Sequence, residues 1–128
     1  MDAVLASISG FVYIDTDDDG IFDSDETPIE AVDIVLEQAG TEISRVATDA
    51  TGAYLFDNLD AGTFTVREEQ PELFDDGQET VGGSIGTITG DDEFSATLQE
   101  GENATELHFG ERIRRISKRD LLASRFAN

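Results

Sequence analysis

Cysteine and tryptophan are absent from the 128 residues, and there is one methionine, one histidine (His108), two prolines and a single lysine (Lys118). Without cysteine there is no disulfide framework, no thiolate metal site and no thiol nucleophile. Without tryptophan there is no indole platform for stacking a sugar. No apolar run approaches the ~18–20 residues of a membrane span. The opening MDAVLASISG lacks the basic region and apolar core of an export signal, so none is expected in this stretch. Basic residues are scarce too: 8 against 29 acidic ones, a net charge of −21. Six of the eight (Arg112, Arg114, Arg115, Lys118, Arg119, Arg125) fall in residues 111–128, which carry a net +4 and leave −25 on residues 1–110. Nucleic acid is excluded as a partner of that acidic part, because binding it means neutralising phosphates with cations. Like charge at this density repels itself. Either solvent disperses the carboxylates or a cation gathers some of them.

The apolar residues that are present recur with period two, the rhythm of strands. In SISGFVYI, Ile8, Gly10, Val12 and Ile14 share a face opposite Phe11 and Tyr13. Val32, Ile34 and Leu36 alternate with Asp33, Val35 and Glu37, and EISRVAT continues less regularly through Ile43 and Val46. AYLFD and TFTVREE each follow a turn rich in Gly, Asp or Asn, and EFSATLQ and ATELHFGE complete the set, with Leu107 and Phe109 opposite Glu106 and an exposed His108. Seven such strands at about ten-residue spacing predict an all-β, seven-stranded antiparallel β-sandwich. The Pro71–Gly90 stretch reads as a loop with at most one irregular edge strand. The expected organisation is a lead over 1–6, the sandwich over 7–111 and a basic tail over 112–128. Ile113, Ile116, Leu121 and Leu122 give that tail one rough helical face, so it reads as flexible or as a short helix.

The informative segment is DTDDDGIFDSDE, residues 15–26. Against the twelve-position calcium loop it places oxygen ligands at positions 1, 3, 5 and 9 (Asp15, Asp17, Asp19, Asp23). Gly20 falls at the sharp turn and a closing carboxylate, Glu26, at position 12. Ile21 at position 7 would contribute its backbone carbonyl, and Asp23 would act directly or through a water. Alternate residues of a tightly curling loop point inward, so these carboxylates converge while Asp18 stays outside. Calcium, a hard ion taking six to eight oxygens, fits this donor set better than magnesium or zinc. The flanks are strands, and Pro28 soon after position 12 would break an exiting helix. The expectation is therefore a structural ion at a strand-to-strand connection, not a helical sensor. Other acids (Asp49, Asp57, Asp60, Asp75-Asp76, Asp91-Asp92-Glu93) lack a complete ligand spacing and read as solvated.

Enzymatic readings are weaker. Asp15-Thr16 after an apolar strand matches part of an aspartic-protease signature, but that chemistry needs a second copy and a Gly where Asp17 stands. A Ser-His-Asp triad would depend on His108, and no pair of acids is marked for glycoside hydrolysis.

Taken in order, SISGFVYID, DTDDDGIFDSDE, PIEAVDIVL, TDATGAYLFDNLDAGTFTVRE and LHFGE resemble the SdrD B-like domains, the B repeats of serine–aspartate repeat surface proteins. These fall within the Cna B-type, transthyretin-like sandwich group. The resemblance covers about residues 7–111 and implies a prealbumin-like sandwich that binds Ca²⁺. It also implies a place in tandem with neighbouring domains of a bacterial cell-surface or secreted protein, as a monomeric, non-catalytic spacer. Some Cna B-type relatives lock themselves with a Lys–Asn isopeptide bond. Here the one lysine, Lys118, lies beyond the sandwich, so no internal bond of that kind is expected. Two other functions remain open at this point: an adhesion module that binds a protein or glycan ligand, and a small hydrolase.

Overall fold

The structure is a computed structural model that describes residues 5–71 and 74–113. All its regular elements in that range are strands: β1 (Ala6–Ile14), β2 (Asp33–Gln38), β3 (Thr41–Ala47), β4 (Ala53–Leu59), β5 (Gly62–Glu68), β6 (Phe74–Val81), β7 (Thr87–Gly90), β8 (Glu93–Leu98), β9 (Asn103–Ala104) and β10 (Leu107–Ile113). One sheet runs β4-β1-β10-β6, with β9 also pairing β1, and the other runs β3-β2-β5-β8-β7. Their facing sides form the core.

Period two builds that core. Phe64 and Val66 in β5, Phe94, Ala96 and Leu98 in β8, and Leu107 and Phe109 in β10 all point inward and are nearly inaccessible. The rings of Phe94 and Phe109 meet across the two sheets at 4.8 Å, edge to face. Each of the buried Phe, Val and Leu side chains contributes about 1.5–3 kcal/mol of transfer free energy, so the inward rows hold the sheets together.

Three expectations are corrected. Ten strands form rather than seven, because the 71–90 stretch supplies β6 and β7 and Asn103–Ala104 makes a short β9. The pairing is not antiparallel throughout: β1 runs parallel to β9 at Ser7–Ile8 and parallel to β10 at Val12–Ile14. His108 is half-buried rather than exposed. At the gap between β9 and β10 its Nδ1 accepts the Phe11 amide at 3.1 Å, and its ring packs on Phe11 at 5.5 Å. Desolvation lowers its pKa, with Glu106 opposing, so the imidazole stays neutral and can accept that bond. At the same crossing a Cβ on Gly10 would lie 1.8 Å from the Leu107 carbonyl oxygen, so only glycine fits. No helix among the described residues is long and apolar enough to cross a membrane. The tail reading over 112–128 falls, from residue 114 on, outside the described residues, as do positions 1–4 of the N-terminal lead.

Candidate metal centre

The 15–26 loop leaves the end of β1, where the Asp15 amide donates to the Glu111 carbonyl of β10 at 2.8 Å. Two left-handed residues, Asp18 (φ 55°) and Gly20 (φ 74°), curl the chain back on itself. The buried Asp15 carboxylate is the hub of this curl, accepting the Asp19 amide at 3.2 Å and the Gly20 amide at 2.8 Å. Asp19 Oδ1 accepts the Ile21 amide at 2.9 Å. At the far end, buried Glu26 reaches back: Oε2 accepts the Thr16 amide at 2.8 Å and Oε1 accepts the Asp23 amide at 2.9 Å.

The result is a convergence of charge. Asp15, Asp17, Asp19 and Glu26 each offer a carboxylate oxygen, and these oxygens lie within 4.8 Å of one another. Opposite ligands across a calcium ion are separated by roughly twice its 2.3–2.6 Å bond length, about 4.6–5.2 Å, so the donors fit a cation of that size. Partial loss of water, followed by the close carboxylates of Asp19 and Asp15, pushes the Asp17 pKa up to about 7. Asp23 is raised as well, first by desolvation and then by the charges of Asp19 and Glu26. Burial works against ionisation of Glu26, but the amides of Asp23 and Thr16 outweigh it and hold its pKa below the usual carboxylate range.

Of the six ligands expected from sequence, four are therefore gathered at one point. The Asp23 carboxylate lies outside that group of four, and its amide serves Glu26 instead. Ile21 projects its side chain to solvent. Asp49 caps a turn, accepting the Thr51 and Ala53 amides at 2.8 and 3.1 Å.

Sequence reasoning missed how the loop is fastened from outside. Gln78 and Thr80 of β6 donate to the carbonyls of Asp18 and Gly20, both at 2.6 Å, and Arg112 pairs with Asp18 at 2.9 Å. Phe22 stacks on Tyr13 with ring centroids 4.6 Å apart. The apolar Ile21-Phe22 pair inside an otherwise acidic run was the available signal for that anchor.

Residues 6–111 match the SdrD B-like domain family. The chain belongs to that family. This SdrD B-like domain is 37% identical over 100 residues to serine-aspartate repeat-containing protein F of Staphylococcus epidermidis, covering 70% of the chain and 6% of the relative. It is 42% identical over 67 residues to serine-aspartate repeat-containing protein I of Staphylococcus saprophyticus, covering 52% of the chain and 4% of that protein. The chain thus spans only a small part of these relatives. In fold it is similar to the minor pilin of Streptococcus agalactiae (TM-score 0.56, 14% identity, 91% of this chain and 48% of that one). It is also similar to the Bacillus anthracis TIE protein (TM-score 0.54, 17% identity, 84% and 18%). The SdrD B-like domain is a structural module of extracellular, cell-surface proteins.

Proposed function

We propose that this SdrD B-like domain is a non-catalytic spacer of a bacterial surface protein that takes its rigidity from a calcium ion held in the 15–26 loop. The observation that carries this reading is the convergence of Asp15, Asp17, Asp19 and Glu26, two of them buried, on one cation-sized point. Asp23, directly or through a water, and the Ile21 carbonyl complete the shell. Several carboxylates at this spacing repel one another strongly unless a cation sits between them.

The loop joins β1 to the segment leading into β2, which belong to different sheets, and β6 fastens its outer side. An ion there stiffens the sandwich at one end, which suits a module that transmits position between neighbouring domains.

A site that binds only the folded chain adds about 2.7 kcal/mol at a hundredfold excess over its Kd. The test is a thermal melt with calcium, with excess chelator and with magnesium at equal ionic strength, read beside the metal content of the chain. Calcium is expected to raise Tm by several degrees and chelator to reverse the rise. A melt indifferent to chelator, from a chain that retains no calcium, overturns the proposal.

A further inference from the structure

The last strand of the sandwich ends beside an open groove. Ile113, the final residue of β10, pairs with Phe74 of β6. Phe74 in turn lines a groove of about 440 Å³, together with Ile29 from the β1–β2 connection and Pro71 from the β5–β6 connection. That volume falls within the ~300–1,000 Å³ of ordinary binding pockets. Ile29 packs on the core but is only partly buried, Phe74 is half-buried, and Ile113 is 64% exposed. Apolar surface is thus left uncovered at the point where the chain leaves the sandwich.

The rim of this groove is acidic. Glu30, Asp33 and Glu69 stand on it. Arg45 serves Asp33, Glu42 and Glu69, and Arg67 serves Glu37 and Glu69. Glu30 is exposed and pairs with no cation among the described residues. Five carboxylates therefore share two guanidinium groups, an excess of three negative charges. The sequence that follows Ile113 has the opposite character. Residues 114–122, RRISKRDLL, carry Arg114, Arg115, Lys118 and Arg119 against Asp120, a net +3, with Ile116, Leu121 and Leu122 as apolar members.

We propose that residues 114–122 dock in this groove of their own sandwich, with Ile116 and the Leu121-Leu122 pair on the apolar lining and the cations along the acidic rim. The reach is sufficient. Paired residues of neighbouring antiparallel strands lie about 4.5–5.5 Å apart, and three extended residues span about 10–11 Å, so Ile116 can enter a groove that begins at Phe74. Arginine and lysine stems also cover apolar surface while their charged heads stay in water. The docked segment ties the β1–β2 and β5–β6 connections together and hides the apolar surface at this end. It uses no side chain of the 15–26 loop and does not depend on an ion being held there.

The test is amide hydrogen exchange, read peptide by peptide, on the full chain and two variants. Ile116→Asp/Leu121→Asp places charge on the apolar members of the segment, and Glu30→Arg reverses the one rim acid that serves no described cation. Both changes lie outside the strands, and unchanged exchange in β5 and β8 serves as the control that the sandwich is intact. Exchange over 114–122 in the unaltered chain is expected to be at least several-fold slower than in either variant, and to quicken in high salt, which screens the rim. Equal exchange in the unaltered chain and the Ile116→Asp/Leu121→Asp variant overturns the proposal. Protection that survives Glu30→Arg also overturns it, since the segment would then be ordered by itself or on another surface. Protection that disappears on dilution assigns the groove to the segment of a second copy and overturns docking within one chain.

Discussion

Glu26 shows how one side chain can hold a loop shut with or without an ion. Its two oxygens take the amides of Thr16 and Asp23, so ten residues of chain are closed by a single carboxylate. Glu26→Gln keeps the shape but replaces one acceptor oxygen with a donor that faces an amide, and it also removes a charge from the cation-sized point. The expected result is loss of most of the calcium-induced rise in Tm, with the calcium-free chain destabilised by about 1–2 kcal/mol, read by denaturant unfolding with and without calcium. Gly20 is constrained differently. Its φ of 74° is one that a Cβ disfavours, and an added Cβ would come within 3.0 Å of Thr80 Oγ1. Gly20→Ala is therefore expected to cost about 1–2 kcal/mol in the same unfolding measurement, whether or not calcium is present.

At the scale of elements, β6 matters beyond its edge position, because it pairs with β10 on one side and grips the loop through Gln78 and Thr80. Thr80→Val keeps the branched shape and removes the hydroxyl that donates to the Gly20 carbonyl. Calcium affinity is expected to fall several-fold, while unfolding without calcium changes by less than about 1.5 kcal/mol; an unchanged Kd would show that the clasp does not pre-organise the loop. The sequence allowed one irregular edge strand where β6 and β7 both form, and it marked the bounds of neither. Both are edge strands with little buried surface, so polar residues and glycine replace the alternation that marked β1, β5 and β8. Parallel pairing of β1 with β10 was illegible for another reason: the alternation of one strand says which face is buried, not which distant strand lies beside it. The 15–26 loop was readable because the acids it gathers are close together in one short segment. The buried acids Glu68 and Glu111 come from two separate strands, and their only trace was an acid standing where the alternation called for an apolar residue.

For the whole molecule, the balance of charge sets how stability depends on pH. In the calcium-free chain Asp17 titrates near 7 and Asp92 near 8, and burial holds Glu68 and Glu111 above their ordinary values. Each of these groups binds its proton more tightly folded than unfolded. Their contribution is thus complete below about pH 4, where both states are protonated, and is lost as pH rises through the folded values. Glu26, Asp18 and Asp49 have the opposite sign: hydrogen bonds lower their pKa values, so their contribution is present above about pH 4.5 and is lost as pH falls through those lowered values. The two sets together place the stability maximum of the calcium-free chain near pH 4–5, with a decline toward pH 8. Calcium held as proposed is expected to act against that decline, by replacing protons on the raised carboxylates and screening the −25 carried by residues 1–110. The rise in Tm on adding calcium is accordingly expected to be larger at pH 8 than at pH 5, and binding at pH 7 should release protons into the buffer. Melts at both pH values, with sodium chloride at matched ionic strength as the control, check this. A calcium shift of equal size at the two pH values would mean that the ion and the protons do not compete for the same carboxylates.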